Sequence, residues 1–361
     1  MRLTKVYFTG IAGIGSFLTC AGIWADEATP QTVASPVSQA TPSADSQKQL
    51  ESFRLEPFPN AAIQSPYGLV VGGGLKLLET KTESFLSASV LTSFSDYTVY
   101  QTGFMWNRPD EWFFRFYGTF GDNIQDYYGE GDNTPNVFQQ LNSTLDQLHL
   151  TFQTQLAHGW TFGPAFEYLF RTWTNTTLFP NESEWKIGVQ TTFDDRAPLQ
   201  QPNHGHYLRF GAYTLPSNGN DGFSPEVWQF EGDARLYQKI LEPVVLVSRF
   251  CADWTEGNPS YSFRYSLGGE WELRGYDTNR FRGNRFWILQ EEARFPLCSI
   301  VEGDLSVDAG DIADTSFNAL LASFQVGLRT MPLPYFGVVV RLDWGFGSDQ
   351  NEIWLDVGEP F

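Results

Sequence analysis

From Phe58 to the C-terminus the chain repeats one pattern, segments of about ten residues in which apolar and polar side chains alternate, separated by clusters of Gly, Pro, Asn and Asp. A period of two sends successive side chains to opposite faces of an extended strand. In the stretch 144–156, Leu148, Leu150 and Phe152 fall on one face, and Gln147, His149, Thr151, Gln153 and Gln155 on the other. Trp228, Phe230 and Ala234 likewise oppose Gln229, Glu231, Asp233 and Arg235, and Phe324, Val326 and Leu328 oppose Ser323, Gln325 and Arg329. Each strand therefore has an oily face and an ionic face.

Two architectures satisfy such strands: a sandwich whose oily faces meet in a dry core, or a barrel whose oily faces meet lipid around a polar lumen. Length separates them, because a tilted strand crossing hydrocarbon needs about 9–11 residues whereas globular strands average about 5–6. The segments are of the longer kind. Strands are predicted near 58–64, 68–78, 83–93, 97–107, 111–120, 144–156, 159–172, 184–194, 205–215, 226–238, 243–254, 285–296, 302–310, 320–331, 335–345 and 352–361, sixteen in all. Connections after even strands are short, with 195–204 of moderate length, and the longest ones, 121–143 and 255–284, both follow odd strands. That asymmetry is expected of a barrel with short turns at one end and long loops at the other. Trp106, Trp112, Trp160, Trp173, Trp185, Trp254 and Trp344 stand near strand ends, as interfacial girdles require.

Composition excludes other classes. A net charge of −19 argues against nucleic acid, which needs a basic face. The 16% aromatic content argues against disorder over most of the chain. Beyond the N-terminus no apolar run is long enough for a spanning helix. Residues 1–25 read as an export signal, with Arg2 and Lys5 ahead of an uncharged stretch and Ala25 for cleavage. Residues 26–57 read as a periplasmic linker without periodic pattern, rich in Ala, Thr, Pro, Ser and Gln, and residues 58–361 as the barrel.

The segment 266–297, SLGGEWELRGYDTNRFRGNRFWILQEEARFPL, resembles the bacterial surface antigen superfamily of outer-membrane barrels, the BamA/TamA-like proteins, through its Leu273-Arg274-Gly275-Tyr276 core. Asp194-Asp195-Arg196 with Gly205, Asp308-Ala309-Gly310, and the ending Arg341-Leu342-Asp343-Trp344-Gly345-Phe346-Gly347 fall in the order that family requires. The resemblance implies an all-β, sixteen-stranded antiparallel transmembrane barrel plugged by a lumen loop, of a short branch with only a linker ahead of the barrel. It also implies that Arg274 meets Glu292 and Asp308, and that Ile353, Leu355, Val357, Gly358 and Phe361 form a C-terminal insertion signal read by barrel assembly machinery. Outer-membrane lipids, and client proteins or lipids, are the further partners it implies.

Residue chemistry agrees where it can be checked. Gln290, Glu292 and Arg294 share the polar face of their strand, so Glu292 is expected to face the lumen. A guanidinium taken out of water needs carboxylates to meet it. Gly275 allows a sharp turn and Tyr276 packs beside it. Two roles stay open for such a loop, a fixed plug or a part of a transport cycle. Of the four histidines only His149 is placed on a lumen face, with no serine motif beside it, so no enzyme is expected. Neither His204-Gly205-His206 nor the acidic run Asp122, Asp126, Glu130 and Asp132 has a metal-site spacing, and no cofactor or metal is expected. The expected function is outer-membrane assembly or protein and lipid translocation; a passive channel or a structural surface protein is the alternative.

Overall fold

The computed structural model describes residues 6–8, 53–64, 68–93, 97–134, 136–157, 159–197, 202–216, 225–269, 271–330, 339–348 and 350–358. Sixteen strands form the wall: β1 (Phe53–Gln64), β2 (Gly68–Glu79), β3 (Phe85–Ser93), β4 (Thr98–Arg108), β5 (Trp112–Tyr127), β6 (Gln139–Ala157), β7 (Trp160–Trp173), β8 (Glu182–Asp194), β9 (Gly205–Pro216), β10 (Pro225–Leu241), β11 (Val244–Glu256), β12 (Arg285–Cys298), β13 (Val301–Ala313), β14 (Leu321–Thr330), β15 (Val339–Phe346) and β16 (Asn351–Gly358). Each pairs antiparallel with the next, and β16 pairs with β1 through Asp356↔Ala62 and Val357↔Ala61, so the sheet returns on itself. A short strand, Val6–Phe8, runs parallel to Ile353–Leu355 of β16. Among the described residues no helix is long and apolar enough to cross a membrane.

Alternation decides which way each side chain points. On β10, Trp228 and Phe230 are exposed on the outer wall, while Gln229, Glu231, Asp233 and Arg235 are buried inside. On β13, Leu305 and Val307 face out, and Asp304, Ser306 and Asp308 face in. Ionic groups inside and apolar groups outside invert a soluble protein, and hydrocarbon is the solvent that stabilises the outer surface. Trp106, Trp160, Trp254 and Trp344 project outward toward the strand ends.

Trp173 does not. It shares the inward parity of Leu169 and Arg171 and is buried within the loop end, against Phe179 and Tyr261 with ring centroids at 5.5 and 5.3 Å. A tryptophan at a strand end thus belongs to a girdle only when its parity is outward.

Two boundaries also differ from the sequence reading. β1 starts at Phe53, so 53–57 of the expected linker are strand; Arg54 and Glu56 already alternate there with Phe53 and Leu55, and Pro57 and Pro59 obscure the pattern. The expected long loop 121–143 is mostly ladder, since β5 and β6 pair from Trp112↔Thr154 to Tyr127↔Gln139. Beyond hydrocarbon both faces of a hairpin meet water or polar loops, so the alternation fades while the hydrogen bonds continue. The export signal and linker otherwise lie outside the described residues, apart from Val6–Phe8, as do His158 and Phe361.

Candidate functional site

The connection between β11 and β12 folds back into the barrel. Its limbs pair as a small ribbon, Tyr265–Leu267 against Phe281–Gly283. Between them Leu273 and Tyr276 are fully buried, packed in one cluster with Tyr265, Leu267, Phe281, Phe286, Ile288 and Ile312. The lumen is thus not uniformly ionic. β12 carries Phe286, Trp287, Ile288 and Leu289 in succession, apolar on both faces where it passes the loop. Burial of an aliphatic or aromatic side chain contributes about 1.5–3 kcal/mol, which helps offset the entropy of ordering the loop.

Arg274 projects from the loop tip onto β12 and β13. Its Nε donates to Asp308 Oδ2 at 2.8 Å, its Nη2 donates to Asp308 Oδ1, and its backbone N–H donates to Asp308 Oδ2 at 3.1 Å. Nη1 donates to Glu292 Oε2 at 2.7 Å. The other Glu292 oxygen accepts from Arg294 at 2.6 Å and Arg329 at 2.8 Å, and Arg329 also reaches Asp304 at 3.3 Å. Arg274 is 4% exposed and Asp308 3%, so removing either partner strands a charge away from water.

Gly275 is what lets the tip reach the wall. Its φ is +98°, and a Cβ there would lie 2.5 Å from Gly347 N and 2.6 Å from Phe346 C. Gly345 of β15 meets it from the other side, where a Cβ would stand 2.5 Å from Gly275 N. Tyr276 then donates its hydroxyl to Ala322 O at 3.1 Å and accepts from Ser348 N at 3.1 Å.

The loop end is covered. Gly131 N donates to Arg282 O at 2.7 Å, Arg280 donates to Thr134 O at 2.7 Å, Glu130 pairs with Arg264, and Tyr128 donates to Asp277. Burial and the neighbouring Asp277 carboxylate push the Tyr128 hydroxyl well above the usual phenol range. Ser260 and Ser262 donate to Glu184 and Glu182 of β8, tying down the other limb. The arrangement is a plug fastened on several sides.

A family model described as the Omp85 superfamily domain matches residues 140–347, more than half of the chain. The chain belongs to the Omp85 superfamily. It is an integral outer-membrane protein. No curated protein matches it by sequence. Among solved structures, BamA from Haemophilus ducreyi lacking POTRA domains 1-3 is similar at a TM-score of 0.62 and 12% identity, over 85% of this chain and 69% of that one. CdiB from Escherichia coli is similar at 0.64 and 14%, over 89% and 64%. CdiB from Acinetobacter baumannii is similar at 0.58 and 13%, over 85% and 59%, so this chain spans less than two thirds of either CdiB chain. At these identities the likeness is one of fold.

In this Omp85 chain the structure brings together Leu273, Arg274, Gly275, Tyr276, Glu292 and Asp308. Of the C-terminal set, Ile353, Leu355, Val357 and Gly358 lie on β16; the side chains of Val357 and Gly358, and Phe361 altogether, are outside what is described. His149, on β6, faces the lumen with its Nε2 3.8 Å from Glu167. Among the described residues no group of three or more metal-ligating side chains forms a metal site. Sequence reasoning did not assign Gly345 and Gly347 a role, although both stand in the quoted Trp344-Gly345-Phe346-Gly347 run. A glycine on each side of an outward aromatic marks a place where another backbone comes close.

Proposed function

We propose that this protein works in outer-membrane assembly, or in moving proteins or lipids into or across that membrane, with the β16–β1 seam as its working edge. The observation that carries the reading is the seam itself. Among the described residues β16 and β1 share two residue pairs, whereas every other junction has six or more. Pro57 and Pro59 of β1 lack an N–H, and proline is tolerated in sheets chiefly on edge strands. An open strand edge offers main-chain donors and acceptors to another chain, the physics of strand addition.

Client outer-membrane proteins or lipids are the partners of such an edge. The barrel assembly machinery is the partner during this chain's own insertion, reading β16 and Phe361. The N-terminal tail lies in the periplasm. No step of this activity makes or breaks a covalent bond.

The test is a covalent seam. Ala61 and Val357 stand opposite in register, so A61C/V357C in a Cys298→Ser background should crosslink on oxidation. Client assembly in cells carrying it as their sole copy should fall to the level of a deletion strain and return with reductant. Full assembly by the crosslinked protein would sink the proposal. For the plug, planar bilayers should show no large steady pore in the intact protein and an open one when residues 256–284 are replaced by a short turn. A large steady conductance in the intact protein favours a passive channel instead.

A further inference from the structure

The lumen loop is gripped a second time, at Trp271 and Glu272, just ahead of the Leu273–Tyr276 core. Here the grip falls on backbone carbonyls. Arg249 of β11 donates from Nη1 to Trp271 O at 2.8 Å, and Gln290 of β12 donates from Nε2 to Glu272 O at 2.6 Å. Arg249 Nη1 also donates to Gln290 Oε1 at 3.0 Å, which braces the two donors against each other. The rest of the Arg249 guanidinium is held by Asp233 of β10, with Nε and Nη2 at 3.1 and 2.9 Å from Oδ2. Arg235 closes a bidentate fork on that same carboxylate at 3.0 and 2.9 Å. Arg235 in turn lies over the Tyr207 ring of β9 at 4.8 Å, and Arg196, from the β8–β9 turn, lies over the same ring at 4.6 Å. Arg196 is fixed by its own fork on Asp194, 3.0 Å from each oxygen.

We propose that Arg249 is a positioning residue for the lumen loop, a second latch whose geometry is set from the β8–β9 turn through Tyr207, Arg235 and Asp233. Two guanidinium groups share one carboxylate, so the surplus positive charge of Arg249 is spent on carbonyl oxygens, giving charge-assisted bonds to the loop backbone. Such a latch reads where the loop chain runs and is indifferent to its side chains. Arg274 reads the opposite, a side chain delivered to β12 and β13. The loop tip is therefore seated only when both walls are in register, and the Asp194-Asp195-Arg196 turn sits at the far end of the second wall's support. The latch concerns how the loop is seated; its use in the assembly activity proposed above is a further step, which client assembly tests.

Trypsin cleavage of the purified full chain in detergent tests it, because Arg280 and Arg282 of the loop are buried and become cleavable only when the loop leaves its seat. Heat-modifiable gel migration reports separately that the barrel is folded. Arg249→Ala should raise the cleavage rate on the order of tenfold or more, and combining it with Arg274→Ala should exceed either alone. Arg249→Lys, which keeps the charge and a donor, should fall between Arg249→Ala and native. Tyr207→Phe should behave as native while Tyr207→Leu, which loses the stacking platform, should be cut faster. Should Arg249→Ala fail to fold, Gln290→Leu carries the same expectation without stranding a charge. Native cleavage rates in a folded Arg249→Ala or Tyr207→Leu protein overturn the latch and leave the assembly reading intact. Normal client assembly by rapidly cleaved variants would overturn the loop's use in assembly and leave the latch.

Discussion

Replacing Arg274 with alanine is expected to free the loop tip while leaving the barrel closed. Asp308 takes three hydrogen bonds from Arg274, and its further bond, from Ser323 Oγ, is 3.5 Å long. With the guanidinium gone, its carboxylate stays buried with little to hold it. Breaking a buried ion pair from one side costs about 3–5 kcal/mol, a figure that water entering the lumen will lower. Glu292 suffers less, since Arg294 and Arg329 remain on its other oxygen. Asp308→Ala should therefore approach Arg274→Ala in effect, and Glu292→Gln should be milder toward the loop. The wall ladder is untouched by any of the three, so heat-modifiable mobility should persist while protease resistance of the loop is lost. Unchanged protease resistance in Arg274→Ala would falsify the assignment of this residue as the loop's lock.

Gly275→Val is expected to unseat the tip at least as fully, without touching a charge. A left-handed backbone costs a side-chain-bearing residue roughly 1–2 kcal/mol by itself. The larger penalty is overlap, because the added Cβ falls 2.5–2.6 Å from main-chain atoms of Phe346 and Gly347, which cannot move without breaking β15. Gly345→Val should reproduce the defect from the β15 side of the same contact, its Cβ landing 2.5 Å from Gly275 N. Gly232→Ala is the control, since its nearest contact, Ala252 O, lies at 3.5 Å. The measurement is again loop proteolysis beside gel mobility. A protease-resistant loop in both valine variants would mean that the tip does not sit against β15.

Much of this is legible in the sequence. Strand number, the inward placement of Glu292 and the identity of the loop's carboxylate partners came from alternation and from a resemblance carried by a few spaced residues. Trp173 was misassigned because position near a strand end was weighed without parity. The extended β5–β6 hairpin was missed for a different reason. Alternation records a boundary between two solvents, and where both faces of a ladder meet polar surroundings the boundary, and with it the signal, is gone. The apolar cluster inside the lumen had left its trace in the unbroken run Phe286–Leu289, which reads as a strand covered on both sides.

By itself the sequence determined the solvent on each side of the wall, because every strand states its two faces residue by residue. It determined the strand count as well, because turn residues punctuate the pattern. Only the tertiary structure decided what fills the barrel and where the wall is weak. Seating Gly275 against Gly345 joins positions far apart in the chain, and the Arg249 latch assembles from β10, β11, β12 and the loop. The two-pair seam is likewise a property of where β16 arrives beside β1. Those contacts depend on how strands tilt and close around the ring, a distance no local pattern encodes.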